Sequence, residues 1–171
     1  MTLDDVQTRR AQASDADAIA AAHRDSIRTL GPGFYPPRVV DDWEEGVAGD
    51  LYLGAMDRGE VFFIATSRID DKEVVLGFAS DYPIEGARFG TSVYVRGAAA
   101  RRGIGSALLA LAEAHAVSRG ATSFHVEASL AGVEFYRANG FTELSRGETH
   151  LRSGRPIACV FMQRDLPMTA A

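Results

Sequence analysis

Apolar positions along the chain change period twice. In the first quarter, Ile19, His23, Ile27 and Leu30 recur three and four residues apart, the spacing of one helix face. Ser14 with Asp17 three residues later reads as a capping box before that helix, and Gly31-Pro32 reads as its stop. A short strand over residues 6–11 precedes it. The loop GPGFYPP follows, and Pro37 opens a second helix that carries Val39, Val40 and Trp43. Residues 47–58 read as further helix. The period then shortens to two. VFFIATS (residues 61–67) and VVLGFAS (residues 74–80) are β-rich runs on either side of the turn-like IDDKE, which predicts a hairpin, and residues 89–95 form another strand. Helical spacing returns with Ile104, Leu108 and Leu111, with His115 near that stripe and Gly120 past its end. A strand over 123–128, a helix over 130–139 closed by Asn139-Gly140, and two strands around Ser153-Gly154 complete the chain. The order predicts an α/β (α+β) domain: a mixed central sheet of about seven strands flanked by about four helices.

Composition narrows the function classes. A chain of 171 residues with 46% hydrophobic content suits one domain spanning residues 1–171. Lys+Arg 18 against Asp+Glu 23 gives a net charge of −5, which argues against a nucleic-acid partner met through a broad basic face. Cys159 is the single cysteine, so neither an intrachain disulfide nor a cysteine zinc cluster can form, and no metal is expected. Set among apolar residues, it reads as core. The first residues, MTLDDVQTRR, are acidic where a signal peptide needs bases, and no apolar run approaches the ~20 residues of a membrane span. The expectation is a soluble, cytoplasmic domain without a membrane partner.

The segment richest in chemistry is Val93-Tyr94-Val95 running into RGAAARRGIGSALLALAE. A strand enters a glycine turn and an apolar-faced helix starts at once. Such a turn aims free N–H groups and the positive end of a helix dipole at one point, a natural phosphate site. Gly103 and Gly105 would let an anion approach the backbone, and Arg101 and Arg102 add charge. A dinucleotide fingerprint is excluded because Leu108 stands at the third glycine position, and a Walker loop because no Gly-Lys-Ser/Thr occurs.

RRGIGSALL after such a strand resembles the acyl-CoA pyrophosphate loop of the GCN5-related N-acetyltransferase (GNAT) superfamily, whose pattern is Gln/Arg-x-x-Gly-x-Gly/Ala. Gly103 and Gly105 match, while Ala100 stands where Gln or Arg is usual. EASLAGVEFYRANGF resembles the later family segment, with Ser129, Gly132, Phe135, Tyr136, Gly140 and Phe141 in place and Gly132 where Ala is commoner. The closing hairpin also resembles the family's.

The resemblance implies acetyl-CoA as cosubstrate, entering where two parallel strands splay apart near Val95 and Ala128. It assigns the backbone of Val93, Tyr94 and Val95 to pantetheine, and the amides of Arg101, Arg102, Gly103, Ile104, Gly105 and Ser106 to pyrophosphate. Ser129 would bond the pantetheine arm or cap the next helix. Tyr136 becomes the general acid to the coenzyme A thiolate, in an acyltransferase moving acetyl directly to a small-molecule or protein primary amine. The base is open: the family's strand glutamate falls on Phe89, leaving Glu85 as the nominated residue and Asp81, Glu127, His125, His150 or a water chain as other routes. Phe34, Tyr35 and Trp43 would wall an acceptor pocket. The run Asp41, Asp42, Glu44 and Glu45 reads as a solvated helix face. The alternative is a non-catalytic acyl-CoA-binding regulatory domain. Dimers are common among relatives, which leaves a homodimer open.

Overall fold

The computed structural model describes residues 5–168. Its elements run β1 (Gln7–Arg10), α1 (Ala16–Leu30), α2 (Pro37–Glu45), α3 (Gly49–Asp57), β2 (Val61–Ile69), β3 (Lys72–Glu85), β4 (Arg88–Val95), α4 (Ile104–Ser118), β5 (Ser123–Ser129), α5 (Val133–Ala138), β6 (Thr142–His150) and β7 (Pro156–Asp165). One sheet contains all seven strands in the order β1-β2-β3-β4-β5-β7-β6. Only β4 and β5 are parallel.

Strand alternation divides the core in two. Phe62, Ile64 and Phe78 face Ile19 and Ile27 of α1 and Tyr52 of α3. Ala65, Leu76 and Ala79 face Leu108, Leu109 and Ala112 of α4, joined by Phe124, Val160 and Met162 from the other half of the sheet. Five α-helices lie among the described residues, one more than expected, because 47–58 resolves into a separate α3. No helix in these residues is long and apolar enough to cross a membrane.

The first helix is capped one step earlier than Ser14 and Asp17 suggest. The Gln12 N–H donates to the Asp15 carboxylate at 2.7 Å, and Ala13–Asp15 forms a 3₁₀ turn ahead of α1. Asp15 is held there because Arg9 of β1 donates two bonds to it at 2.8 Å, which holds the carboxyl below its usual range. The β2–β3 hairpin turns at Asp70 and Asp71, with φ of +50° and +60°, the conformation of a type I′ turn.

Candidate active site

The site begins where β4 and β5 part. They pair at Arg88↔Ser123, Phe89↔Phe124 and Gly90↔His125, and nowhere beyond, although both strands continue. The expected splayed pair is therefore present. A backbone N–H in that opening needs a partner. At Val93 it has one: it donates to the Tyr136 hydroxyl at 3.0 Å. Tyr136 is 4% exposed, with its ring edge-on to Phe135 and Phe141. Burial raises the phenol above its ordinary pKa and the Val93 bond pulls it back in part, so the hydroxyl keeps its proton.

Two glycines seat that tyrosine. A Cβ on Gly132 would lie 3.3 Å from Tyr136 Cε2, so the α5 approach fits tightly over the ring. Gly140, at φ +86°, closes the helix and returns the chain to Phe141.

The loop after β4 has the expected strand-to-helix form, and Gly105 has a packing use of its own. Arg101 and Gly103 are left-handed, at φ +61° and +78°, with open space around Gly103. The first backbone bond crossing into α4 runs from Ala107 N–H to Gly103 C=O at 3.0 Å, so the N–H groups just before it have no helical partner. Arg101 and Arg102 are exposed, and neither forms an ion pair among the described residues. An open groove of about 440 Å³ runs along Arg102, Gly103, Ile104 and Ala107. Gly105 is buried instead. A Cβ there would sit 2.9 Å from Phe135, so this glycine also lets α5 pack on α4.

On the opposite sheet face a cavity of about 200 Å³ is lined by Tyr35, Trp43, Tyr82, Tyr94, Glu127 and Ser129, among others. Tyr35 is fixed from both sides: it donates to Ala158 C=O at 2.6 Å and accepts from Leu130 N–H at 2.8 Å. Trp43 stands edge-on to Tyr35 and Tyr94. The Tyr94 ring lies on His23 at 3.8 Å between centroids. Tyr82 crosses Gly90, where any Cβ would strike its ring, and burial pushes its phenol up to about 12. Ser129 makes no capping bond, which leaves its hydroxyl to the cavity.

Other nominated residues fall elsewhere. Phe34 is 54% exposed and outside the cavity lining. Glu85 is exposed at the closed end of the strand pair, opposite Arg88, five residues and roughly 16 Å from Val93 along β4. Phe89 is core. Asp81 is fully buried on the α4 side, bound to His115 Nδ1 at 2.8 Å. His125 Nε2 and the Ser123 hydroxyl are hydrogen-bonded at 2.9 Å near the closed end. Glu127 and His150 do line the cavity, and Glu127 accepts a bond from Thr149 at 2.9 Å. Of the acidic run, Asp42 pairs with Arg155 at 2.7 Å and Glu44 with Arg28, so both are used within the fold. Cys159 is buried beside the cavity, which pushes its thiol up. Tyr82 is a cavity wall that motif reading passed over, and Tyr94, read there for its backbone, adds its ring as another. Strand alternation carried the signal, since Gly90, Ser92 and Tyr94 share the face away from Phe89, Val93 and Val95.

A mixed sheet whose one parallel pair opens after three rungs, with a phenol in the opening and a free helix N-terminus beside it, defines an acetyltransferase fold. The acetyltransferase (GNAT) domain family model matches residues 58–143, half of the chain, and the chain belongs to that family. A GCN5-related N-acetyltransferase from Rhodopseudomonas palustris is similar at 26% identity and TM-score 0.79, covering 97% of this chain and 99% of that one. The PaiA N-acetyltransferase from Thermoplasma acidophilum, solved with coenzyme A, is similar at 18% identity and TM-score 0.73, covering 94% and 99%. A putative acetyltransferase from Salmonella typhimurium, solved with acetyl-CoA, is similar at 20% identity and TM-score 0.66, covering 97% and 96%. No curated protein sequence matches this chain.

Proposed function

We propose that this protein is an N-acetyltransferase that moves an acetyl group from acetyl-CoA to a primary amine by direct attack. The observation that carries the reading is the Tyr136 hydroxyl standing on Val93 N–H in the opening between β4 and β5. The residues present fit acetyl-CoA. The unpaired N–H groups from Arg101 to Ser106, with Arg101 and Arg102 beside them, suit a pyrophosphate. The open edge of β4 over Val93, Tyr94 and Val95, with the uncapped Ser129 across the gap, suits an amide-bearing arm. When bound, acetyl-CoA supplies an activated acyl carbon and a thiol leaving group.

Tyr136 accepts from Val93 while retaining its own proton, so it can donate as negative charge develops on sulfur. An ordinary phenol is a weaker acid than an ordinary thiol by about 1.5 pKa units. The same apolar surroundings that raise Tyr136 also raise a buried thiolate's proton affinity, so transfer is not opposed by the full difference. Glu85, at the closed end, takes no part in this scheme.

Calorimetric titration with acetyl-CoA followed by a thiol-release assay over a panel of amines tests the reading. Binding with turnover supports it. Binding without turnover on any amine favours a regulatory acyl-CoA-binding domain, and no binding removes the assignment of the 101–106 loop.

A further inference from the structure

The cavity beside the strand opening has one acidic wall and no lysine or arginine among its lining residues. Glu127 projects from β5, two residues before Ser129, and Thr149 donates to its Oε2 at 2.9 Å, which fixes one oxygen. The other oxygen, Oε1, has no side-chain partner among the described residues. Burial is the main cause that raises the Tyr82 and Tyr94 phenols and the Cys159 thiol, and the nearby Glu127 carboxylate adds a smaller contribution to each. The remaining wall is aromatic, with Trp43 edge-on to Tyr94 at 6.2 Å and to Tyr35 at 5.9 Å.

We infer that the acceptor is a small primary amine that carries no carboxylate and arrives as its ammonium ion, with Glu127 as the specificity-determining residue that holds the charge against the aromatic walls. The nitrogen then gives one proton to solvent water, and its freed lone pair attacks the thioester carbon. The inference rests on the acetyl-transfer reading above and narrows it. A carboxylate beside aromatic side chains is an environment that favours an organic cation. At about 200 Å³ the cavity is below the ~300–1,000 Å³ of drug-sized pockets, which suits an alkyl or arylalkyl monoamine. An acceptor with its own carboxylate, such as a free amino acid, would bring a second negative charge beside Glu127, with neutral hydroxyls and the single imidazole of His150 to meet it and no guanidinium or ammonium. The Tyr35 hydroxyl offers that carboxylate nothing, since its proton is already given to Ala158.

The experiment compares amines with their carboxylated counterparts at saturating acetyl-CoA: butylamine with norvaline, 2-phenylethylamine with phenylalanine, tyramine with tyrosine. The expected result is a kcat/KM at least about 100-fold higher for the amine of the preferred pair. Glu127→Gln should raise the KM of that amine about 10- to 100-fold, with kcat and the acetyl-CoA Kd near wild type, and should narrow the gap within the pair. Because Glu127 is exposed, this variant leaves the core intact. Equal turnover of the carboxylated partners, turnover of peptides alone, or an unchanged KM in Glu127→Gln would overturn the inference while leaving acetyl transfer in place. Failure to bind acetyl-CoA, or no turnover of any amine, would overturn both readings.

Discussion

Replacing Tyr136 with Phe removes one oxygen and leaves the ring packing against Phe135 and Phe141. The oxygen has two jobs. It satisfies the Val93 N–H at 3.0 Å, and in the proposed reaction it supplies the proton to sulfur. Losing the first leaves a backbone donor unpaired in a buried setting, at a cost of about 1–3 kcal/mol. For a domain of this size each kcal/mol lowers Tm by about 2–4 °C. Losing the second should lower kcat by about 10²- to 10⁴-fold, the range for one general acid. The two effects separate experimentally. Acetyl-CoA in the opening can itself take up the Val93 N–H, so its Kd should stay within about threefold of wild type while kcat collapses. Steady-state thiol release, calorimetric Kd and thermal melting of the same preparation give all three numbers. A kcat within about threefold of wild type would refute the acid role, as would a loss lying entirely in acetyl-CoA affinity.

Further expectations follow from the same geometry. Gly105→Val places carbon within 2.9 Å of Phe135 and should destabilise the fold by about 1–3 kcal/mol in urea unfolding, with weaker acetyl-CoA binding because α4 and α5 are forced apart. Replacing Arg101 and Arg102 together by Ala should raise the acetyl-CoA Kd by about tenfold at low salt and less at 0.5 M salt, read by calorimetry at the two ionic strengths. His23, enclosed by Tyr94, Trp43, Tyr52 and Phe78, is held neutral, its pKa lowered by burial to about 3. The unfolded imidazole protonates near 6.5 and the folded one near 3, so its contribution to stability is complete above 6.5 and falls as pH drops through that window. Urea unfolding at pH 7 and 5 should show the decline, and His23→Phe should flatten it. The raised carboxyl of Asp81 works in the opposite sense, gaining stability as pH falls, so the variant isolates the His23 share.

The sequence made the fold legible where a single period governs a whole element. The hairpin of β2 and β3 was readable as two dense apolar runs because its residues enter both halves of the core, as do those of β4 and β7, while β6 lies along β7 as an exposed partner. The sequence misled where a distant contact overrode a local signal. Ser14 with Asp17 fits a helix start, yet Arg9 on β1 binds Asp15 and the chain caps at Gln12 instead. The nomination of Glu85 as base rested on chain distance as well. Glu85 is near the glycine strand along the chain, yet the antiparallel β3–β4 register carries it to the closed end of the parallel pair. Glu127 is far along the chain and reaches the cavity because β5 alternation aims it there. Chain distance was a poor guide to both.

The two family segments are usually read as separate devices, a phosphate loop and a tyrosine helix, and the packing here joins them. Opening a parallel pair after three rungs leaves backbone donors on an inner edge without a strand partner. The Tyr136 hydroxyl meets this need at Val93, and a phenol suits the position because it accepts one bond while still holding a proton to give. A carboxylate would accept and have nothing to donate, and an ammonium would donate and be unable to accept. For the hydroxyl to reach Val93, α5 must lie close against the start of α4, and Gly105 permits that by leaving room for Phe135. Gly132 leaves comparable room beside the Tyr136 ring. The second glycine of the phosphate loop therefore works partly on behalf of the acid, and a substitution there should damage proton delivery as well as anion binding.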